Sequence, residues 1–483
     1  MKKIKAVMTD NSAFRRSYVI CLFLCNVTPV MPLAYAALVG VFLWGGFLLF
    51  YNEIRRHTAL KTRGGLWLIL FLLSAVVTAA VHFSTNLLND VHNLIMILHA
   101  AICFFLLYSV HTEKHLNFRR ELYAVCRFIV YATTVLGIIG LACLVANIKF
   151  EILGVKFIVY ENRFTGLFNN PNQLGFSAAA AIFCSHMLLK KDFIAISGRE
   201  RVSTIWIASC AAVNAISLLL SDSNGAMVLL LGYAVFYLLY KMVGAERRFS
   251  KRQIVTKSIS ALLAGAVIVG ALFFVRNVTQ EGFTKVMDSK DTIVVIEGSI
   301  DIQNEGITFE HENKNIDSGR FKLWQQATEM FLQNPVLGVG KGNIFDYGRR
   351  MFVNGLKFTE NATFLTPFLA DFHNGYLTIL VCSGAVGFLL FAIFGLKFFK
   401  HITLRVFRED GLKESTLPCM YAFLCAYSVY AFVEETLLYN IMFTVAFFWL
   451  VIGYTSCFLV KYEPDHPLRS IRIFGKRFRR TIL

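Results

Sequence analysis

Residues 373–398 read HNGYLTILVCSGAVGFLLFAIFGLKF, a short polar start followed by an apolar run in which Lys397 is the single charged side chain. A helix that crosses the hydrocarbon core of a bilayer needs about 20 apolar residues, so this stretch predicts a transmembrane helix. Residues 276–372, directly before it, form a long polar segment, and apolar runs resume on its other side. The pattern on both sides of residue 373 is that of a membrane protein with one large water-facing loop.

The composition agrees with a membrane protein. Of the 483 residues, 56% are hydrophobic and 16% are charged, whereas soluble globular domains carry about 25% charged residues. Asn26, Pro29 and Pro32 mark either a tight hairpin turn or a kink in one long helix, so the chain has twelve spans or eleven. With a hairpin there, the predicted spans are 14–31, 33–51, 65–85, 91–110, 122–146, 172–189, 203–221, 225–241, 257–275, 373–398, 417–437 and 441–460.

Positive charge decides between the two counts and sets the orientation. With twelve spans, the segments on one side of the membrane hold 34 Lys and Arg residues, and those on the other side hold 13. Basic residues in short loops are retained in the cytoplasm, so both termini are predicted to be cytoplasmic; eleven spans would break this alternation. The net charge of +17 is then mostly a topology signal. We expect the basic tail to contact anionic membrane lipids and do not predict nucleic acid as a partner.

Two segments outside the membrane interrupt the short loops. In the first, residues 147–171, the stretch from Ile148 to Tyr160 alternates loosely like a short β-hairpin. In the second, residues 276–372, Thr292 to Ile296 and Ile307 to Phe309 resemble strand fragments, and Phe321 to Leu332 has apolar residues at helical spacing. We predict an all-α polytopic membrane protein of about twelve transmembrane helices with a large extracytoplasmic loop domain. Its predicted parts are helices one to nine at 1–275, the loop domain at 276–372, helices ten to twelve at 373–461 and a basic cytoplasmic tail at 462–483.

His373 is the first candidate for chemistry. It precedes Asn374 and Gly375 at the start of an apolar helix, hence at the outer membrane surface. Histidine is the side chain whose unperturbed titration suits proton transfer near neutral pH. The alternative is an interfacial histidine that caps the helix or binds a carbonyl. We predict that His373 is catalytic and that Asn374 contacts the substrate.

Arg320 is the first candidate for binding an anion. It opens the predicted loop helix, where a guanidinium group and helix N–H donors suit phosphate oxygens. The alternative is a surface arginine paired with Asp317 or Glu329.

Two further cations are predicted to bind the same substrate. Arg163 lies in a Gly- and Asn-rich segment above the sixth span, where it suits a diphosphate or pairs with Glu161. Lys341 follows the turn Gly338-Val339-Gly340 and is either a rim charge or a ligand. No metal-binding spacing occurs in the sequence, so we predict neither a metal nor another cofactor, and protein cations would have to neutralise an anionic leaving group.

Two more polar groups are less specific. Ser221-Asp222-Ser223-Asn224-Gly225 either lines a site or is a turn whose residues are explained by turn chemistry alone. Glu434-Glu435 lies near the outer end of the eleventh predicted span. Acidic residues at membrane depth tend to face the bundle interior, so one of them either pairs with Arg or Lys, holds an acceptor hydroxyl, or is exposed at the interface.

Four short elements, together with the twelve-span layout, resemble the O-antigen ligase/polymerase superfamily over about residues 160–450. The elements are Arg163-x-x-Gly166-x-x-x-Asn170-Pro171-Asn172, Ser318-Gly319-Arg320-x-x-x-Trp324, Asn334-Pro335-x-x-Gly338-x-Gly340 and His373-Asn374-x-Tyr376-Leu377.

The resemblance implies a metal-independent, inverting glycosyltransferase of the bacterial cytoplasmic membrane. It would move a glycan from undecaprenyl diphosphate to an acceptor sugar on the outer face, with His373 as the general base and Arg320 on the diphosphate. Many members carry a further arginine in a Ser-Arg-Gly turn, which here reads Ser223-Asn224-Gly225. Either Arg163 or Lys341 would replace this missing positive charge, or the substrate geometry differs. The missing arginine and the Arg163 segment favour a polymerase slightly over a ligase.

Two other functions remain open at this point. A transporter or flippase of lipid-linked glycans would also need many helices and cations, but transporters place polar groups and broken helices near the midplane, often in two repeated halves. A non-enzymatic scaffold in envelope assembly is the third alternative.

Overall fold

Helices make up most of the protein. The computed structural model describes residues 6–83, 86–113, 117–197, 204–244, 251–288, 290–303, 306–309, 320–352, 372–408, 414–461, 469–473 and 476–480. The helices are α1 (Asn11–Leu24), α2 (Met31–Arg56), α3 (Thr58–Lys61), α4 (Gly65–Val81), α5 (Leu87–Ile102), α6 (Phe118–Val145), α7 (Pro171–Leu188), α8 (Lys191–Ser197), α9 (Thr204–Ser221), α10 (Asn224–Gly244), α11 (Lys251–Met287), α12 (Arg320–Gln333), α13 (Ile344–Met351), α14 (Gly375–Arg408), α15 (Leu417–Tyr430) and α16 (Phe443–Lys461).

Each of the twelve apolar runs corresponds to one of these helices. Within the described residues, seven helices are long and apolar enough to cross a membrane, and three shorter apolar helices accompany them at Gly65–Val81, Leu417–Tyr430 and Phe443–Phe458. The protein is therefore a polytopic membrane protein, as predicted. The count of twelve crossings stays a prediction.

The first two helices form a hairpin rather than one kinked helix. Cys21 Sγ donates to Ala34 O at 3.3 Å, and Asn52 Nδ2 donates to Asn11 Oδ1 at 2.9 Å. Residue numbers thus rise along α1 as they fall along α2, which is the signature of antiparallel packing. A 3-10 turn at Thr28–Val30, containing Pro29, connects the two helices. The hairpin interpretation of this segment is confirmed.

A five-stranded sheet joins the two segments predicted to lie outside the membrane. Its strands are β1 (Ile148–Ile152), β2 (Val155–Tyr160), β3 (Arg163–Gly166), β4 (Thr292–Ile296) and β5 (Ser299–Gln303), in the order β3-β2-β1-β4-β5. The β1–β4 pair is parallel and the other pairs are antiparallel. A separate two-stranded hairpin, β6 (Arg469–Ile473) with β7 (Lys476–Arg480), follows α16.

The sheet corrects several expectations. The predicted hairpin and the strand at Thr292 to Ile296 are confirmed, but an all-α description leaves the sheet out. Residues 306–309 carry no strand, so the fragment predicted at Ile307 to Phe309 is wrong; β4 pairs instead with the unpredicted β5. Helix α11 continues beyond residue 275 to Met287, so the first residues of the predicted loop segment belong to this helix. The predicted loop helix is confirmed as α12.

Helix α14 is broken at Gly384, whose backbone has φ 61° and ψ −172°. The segment before Lys341 fills the break like a short strand. Val339 N donates to Val381 O and Gly340 N to Cys382 O, both at 2.9 Å, while Ala385 N donates to Pro335 O at 2.8 Å. Irregular backbone at membrane depth needs such internal partners because lipid offers none. The Asn334-Pro335-x-x-Gly338-x-Gly340 element therefore completes a transmembrane helix.

Alanine at Gly338 or Gly384 is expected to destabilise the protein strongly. Both residues have positive φ, and an added Cβ would lie 2.4 Å from Val381 O at Gly338 and 2.3 Å from Val336 O at Gly384. Left-handed backbone alone costs a side-chain-bearing residue about 1–2 kcal/mol. Gly395→Ala, in the same helix with no atom within 4 Å of the added Cβ, is the control. We would measure thermal unfolding in detergent by size-exclusion chromatography after heating. The midpoint temperature should fall strongly for Gly338→Ala and Gly384→Ala only, and equal midpoints for all three variants would contradict this account.

Candidate functional site

The backbone around His373 is fixed against the loop that follows α15. Gly375 N donates to Ala431 O at 2.8 Å and to Glu434 O at 3.1 Å. Asn374 Oδ1 accepts from Tyr376 N and Leu377 N, both at 3.0 Å, and so caps helix α14. An asparagine cap contributes about 1 kcal/mol. The carboxamide oxygen of Asn374 is thus engaged within the protein, and its predicted contact with substrate stays a prediction.

Tyr376 holds the same helix start from the other side. Its hydroxyl donates to Ser428 O at 2.9 Å, and its ring centroid lies 4.4 Å from that of Phe432. The His373-Asn374-x-Tyr376-Leu377 element therefore docks the beginning of α14 onto the end of α15. This docking gives His373 a defined position, with 27% of its side chain exposed.

The carboxylate of Glu434 bridges His373 and Arg320. Its Oε2 lies 3.2 Å from His373 Nδ1, and its Oε1 lies 2.9 Å from Arg320 Nη2. A carboxylate on one ring nitrogen fixes the histidine orientation, and with Nδ1–H donating to Glu434 the basic nitrogen of the ring is Nε2. A base and a cation are thus held on the two oxygens of one carboxylate. Glu434 lies beyond the end of α15 at Tyr430, whereas we predicted it within the span.

Helix α12 brings Arg320 to this carboxylate. Arg320 and Trp324 are four residues apart and therefore lie on one face of the helix. Trp324 Nε1 donates to Phe372 O at 3.2 Å, the residue before His373. Arg320 pairs with Glu434 and not with Glu329, one of its two expected alternative partners. The other, Asp317, lies outside the described residues, as do Ser318 and Gly319 of the motif.

Arg163 lies at the turn between α9 and α10. Its guanidinium group donates to Ser221 O at 3.0 Å, to Asp222 O at 3.2 Å and to Asn172 Oδ1 at 2.8 Å. The turn therefore takes part in the site, beyond the turn chemistry that its residues would explain alone. Three fixed acceptors hold the Arg163 guanidinium in one orientation.

Arg276 approaches the same turn from helix α11. Its Nη1 lies 2.8 Å from Asp222 Oδ1 and 3.4 Å from Asn224 Oδ1. A guanidinium group thus stands beside Asn224, where the Ser-Arg-Gly pattern would have an arginine. Arg276 was not among our predicted site residues. The signal for it is its place as the first charged residue after the apolar run at 257–275.

The turn and the His373 cluster meet at Gly225. A Cβ atom on Gly225 would lie 3.2 Å from Glu434 Oε1, so the turn borders the bridging carboxylate directly. Burial lowers the pKa of Arg163 from its ordinary value; Asp222, Glu161 and Glu434 raise this pKa, and Arg320 lowers it. These mutual effects link Arg163 to the Arg320–Glu434 pair. Three guanidinium groups, two carboxylates and one imidazole therefore form one partly exposed site.

Lys341 is not a rim charge. Its side chain is 2% exposed, and Nζ lies 2.6 Å from Oε1 of Glu435, which is 1% exposed. Glu435 Oε2 accepts from Thr378 Oγ1 at 3.3 Å. The pair fixes the turn after Gly340 to the beginning of α14. This buried pairing makes Lys341 a structural neighbour of the site and removes the reason for proposing it as a diphosphate ligand.

A comparison with protein-family models finds a match within the chain. Residues 209–392 match the family described as O-antigen ligase. The matched span includes the α9–α10 turn, Arg276, Arg320 and His373, and it stops before Glu434. A search of curated proteins finds no match.

Breaking the buried Lys341–Glu435 pair is expected to destabilise the fold. Removing one partner of such a pair costs about 3–5 kcal/mol because the other charge is left buried. Glu435→Gln should therefore lower the unfolding temperature in detergent sharply. Glu414→Gln is the matched control, since the Lys191–Glu414 pair has side chains 81% and 69% exposed; its unfolding temperature should stay unchanged. Equal behaviour of the two variants would refute a stabilising role for the buried pair.

Proposed function

We propose that this protein, of which residues 209–392 match the O-antigen ligase family and which has several helices able to cross a membrane, is a multi-pass, glycan-processing enzyme of the bacterial inner membrane. It transfers a glycan from undecaprenyl diphosphate to an acceptor sugar. The transfer takes place on the outer face of the membrane, by an inverting mechanism that uses no metal. The product is a surface polysaccharide of the polymerase type or a ligated glycan.

The observation that carries the proposal is the Glu434 bridge. The reaction needs a base for the acceptor hydroxyl and cations for the diphosphate, separated by the reacting carbon. His373 and Arg320 lie on opposite oxygens of Glu434, which supplies this separation. Glu434 orients the imidazole, and Arg320 offers a fork that matches phosphate oxygens.

The chemical step follows from these positions. His373 Nε2 takes the proton of an acceptor hydroxyl while the hydroxyl oxygen attacks the anomeric carbon of the donor sugar. The bond from this carbon to the diphosphate oxygen breaks, and its electron pair leaves with the diphosphate. Attack from the face opposite the leaving group inverts the configuration at the anomeric carbon.

The leaving group is neutralised by arginines. Arg320, Arg163 and Arg276 surround the α9–α10 turn and Glu434, and fixed cations stabilise charge that develops in a transition state. Arg276 supplies the positive charge that Asn224 lacks. Lys341 has no part in this step because Glu435 holds it in the protein interior.

A broken helix is a feature of many transporters, and α14 is broken at Gly384. Here the break is filled by residues of the protein itself, which bond to Val381 O, Cys382 O and Ala385 N. The break is therefore a packing feature, and it gives no support to a transport function.

His373→Ala is expected to lower kcat by about 10²–10⁴-fold, the usual contribution of general acid–base catalysis. Arg320→Ala is expected to lower it by about 10²–10³-fold, the scale for losing one group that stabilises developing charge. The assay is transfer by purified protein from an undecaprenyl-diphosphate oligosaccharide, with product size followed on a gel. Lys322→Ala, an exposed position on the same helix, should keep wild-type activity. Undiminished transfer by His373→Ala would overturn the proposed role of the histidine.

Arg276→Ala is expected to reduce use of the lipid diphosphate donor by about ten- to a hundred-fold, the scale of a hydrogen bond to a charged group. Asn224→Arg in the Arg276→Ala background should restore much of the loss, because Asn224 lies within 3.4 Å of the Arg276 guanidinium. The measurement is kcat/KM for the donor. If the double variant is no better than Arg276→Ala alone, the proposed exchange of cations is wrong.

A further inference from the structure

A polar cavity of about 360 Å³ lies apart from the residues of the reacting site. It is formed by the end of α4, the first turn of α5 and helix α13. Its polar lining side chains are His82, Asn89, Asn343, Asp346, Tyr347 and Arg350. Ligand sites in proteins occupy about 300–1,000 Å³, so the cavity has room for a small ligand group.

The lining groups form an ordered network. Asp346 Oδ2 accepts from Asn89 Nδ2 at 2.5 Å, and Tyr347 OH lies 3.2 Å from His82 Nδ1. The guanidinium carbon of Arg350 lies 4.6 Å from the Tyr347 ring centroid. Asp346 and Arg350 are four residues apart, on one face of α13. A carboxylate, carboxamides, a guanidinium group and an aromatic ring are thus presented together.

This combination suits a sugar better than a lipid chain. Vicinal hydroxyl groups donate and accept at once, and carboxylate, amide and guanidinium groups match them in pairs. The apolar face of a sugar ring can pack on Tyr347 or on Phe83, which also lines the cavity. A lipid tail would displace water from these polar groups and offer them no hydrogen bond in return, which is unfavourable.

One short turn separates the cavity from the site. Lys341 reaches Glu435, next to Glu434, whereas Asn343, two residues later, lines the cavity. Gly342 N donates to Asn93 Oδ1 at 2.8 Å and ties the turn to α5. The cavity and the reacting site therefore lie on two sides of the turn at Lys341–Asn343.

We infer that this cavity binds one sugar residue of the glycan substrate at a distance from the bond that reacts. The inference rests on the proposed glycosyl transfer and adds a specificity site to it. It predicts that α13 contributes to glycan choice, while His373 and the arginines carry the chemistry.

The test is a binding measurement on full-length protein in nanodiscs by isothermal titration calorimetry. Two probes are used: the repeat-unit oligosaccharide released from the surface polysaccharide of the producing organism, and the same oligosaccharide on undecaprenyl diphosphate. Arg350→Ala and Asp346→Asn should weaken binding about ten-fold or more. Asp346→Asn keeps the shape of the side chain, so weaker binding by this variant would reflect lost recognition of the sugar rather than unfolding. Arg349→Ala is the matched control, since Arg349 is adjacent in α13 but does not line the cavity.

Each outcome is decisive. Weaker binding of the lipid-free probe would support a glycan site that acts independently of the lipid, whereas an effect on the lipid-linked probe alone would support a site for the donor. Equal affinities of wild type, Arg350→Ala and Asp346→Asn, or no binding of either probe, would overturn the inference.

Measuring both binding and transfer on each variant tests the sugar site and the proposed reaction separately. His373→Ala should bind the lipid-free probe as wild type does, while its glycan transfer falls by about 10²–10⁴-fold. If wild type transfers nothing but Arg350→Ala still weakens binding, the proposed reaction fails and the sugar site stands. If transfer is normal and the cavity variants bind normally, the sugar site fails and the proposed reaction stands.

Discussion

The adjacent carboxylates of Glu434 and Glu435 connect the membrane helices to the polar segments between α11 and α14. Glu434, at a side-chain exposure of 13%, holds Arg320 and His373, whereas Glu435, at 1%, holds Lys341. One dipeptide therefore faces an open site with one side chain and the protein interior with the other. The two pairs have different consequences, because a partly exposed charge can exchange its partner with a ligand, while a buried charge without its partner costs about 3–5 kcal/mol.

Much of the fold follows from local sequence because the bilayer imposes a simple rule. A chain that crosses hydrocarbon must satisfy its own backbone, so apolar runs of sufficient length become helices, and the runs at 65–85 and 122–146 correspond closely to α4 and α6. The sheet was predicted only in part. The β-hairpin depends on neighbouring residues, but the pairing of Ile148 with Ile293 joins distant parts of the chain, and local alternation holds no information about it. The break at Gly384 was missed for the same reason, since its partners lie near residue 336.

The site shows a similar division. His373 and Arg320 stand in recognisable surroundings at helix starts, and both were predicted. Glu434 is visible in the sequence only as one half of an acidic pair, because sequence does not say which of many cations a carboxylate will meet. Its partner Arg320 lies 114 residues away. Lys341 differs from the expectation because a lysine after a glycine turn usually points to water, and only the packing of the turn against α14 shows that its side chain is buried. Arg276 was not predicted because the apolar run ends at residue 275, whereas the helix itself continues to Met287.

Under the proposed function, the resting ion pairs also couple donor binding to catalysis. Arg320 and Arg276 are neutralised by Glu434 and Asp222 in the protein alone. A diphosphate that binds these guanidinium groups competes with the carboxylates, and two-point phosphate contacts favour the exchange. Glu434 then interacts chiefly with His373, and a carboxylate stabilises the imidazolium that forms when the ring takes a proton. Displacement of Arg320 from Glu434 by the diphosphate thus strengthens the base that the same carboxylate holds, so proton removal from the acceptor is favoured only once a donor is in place.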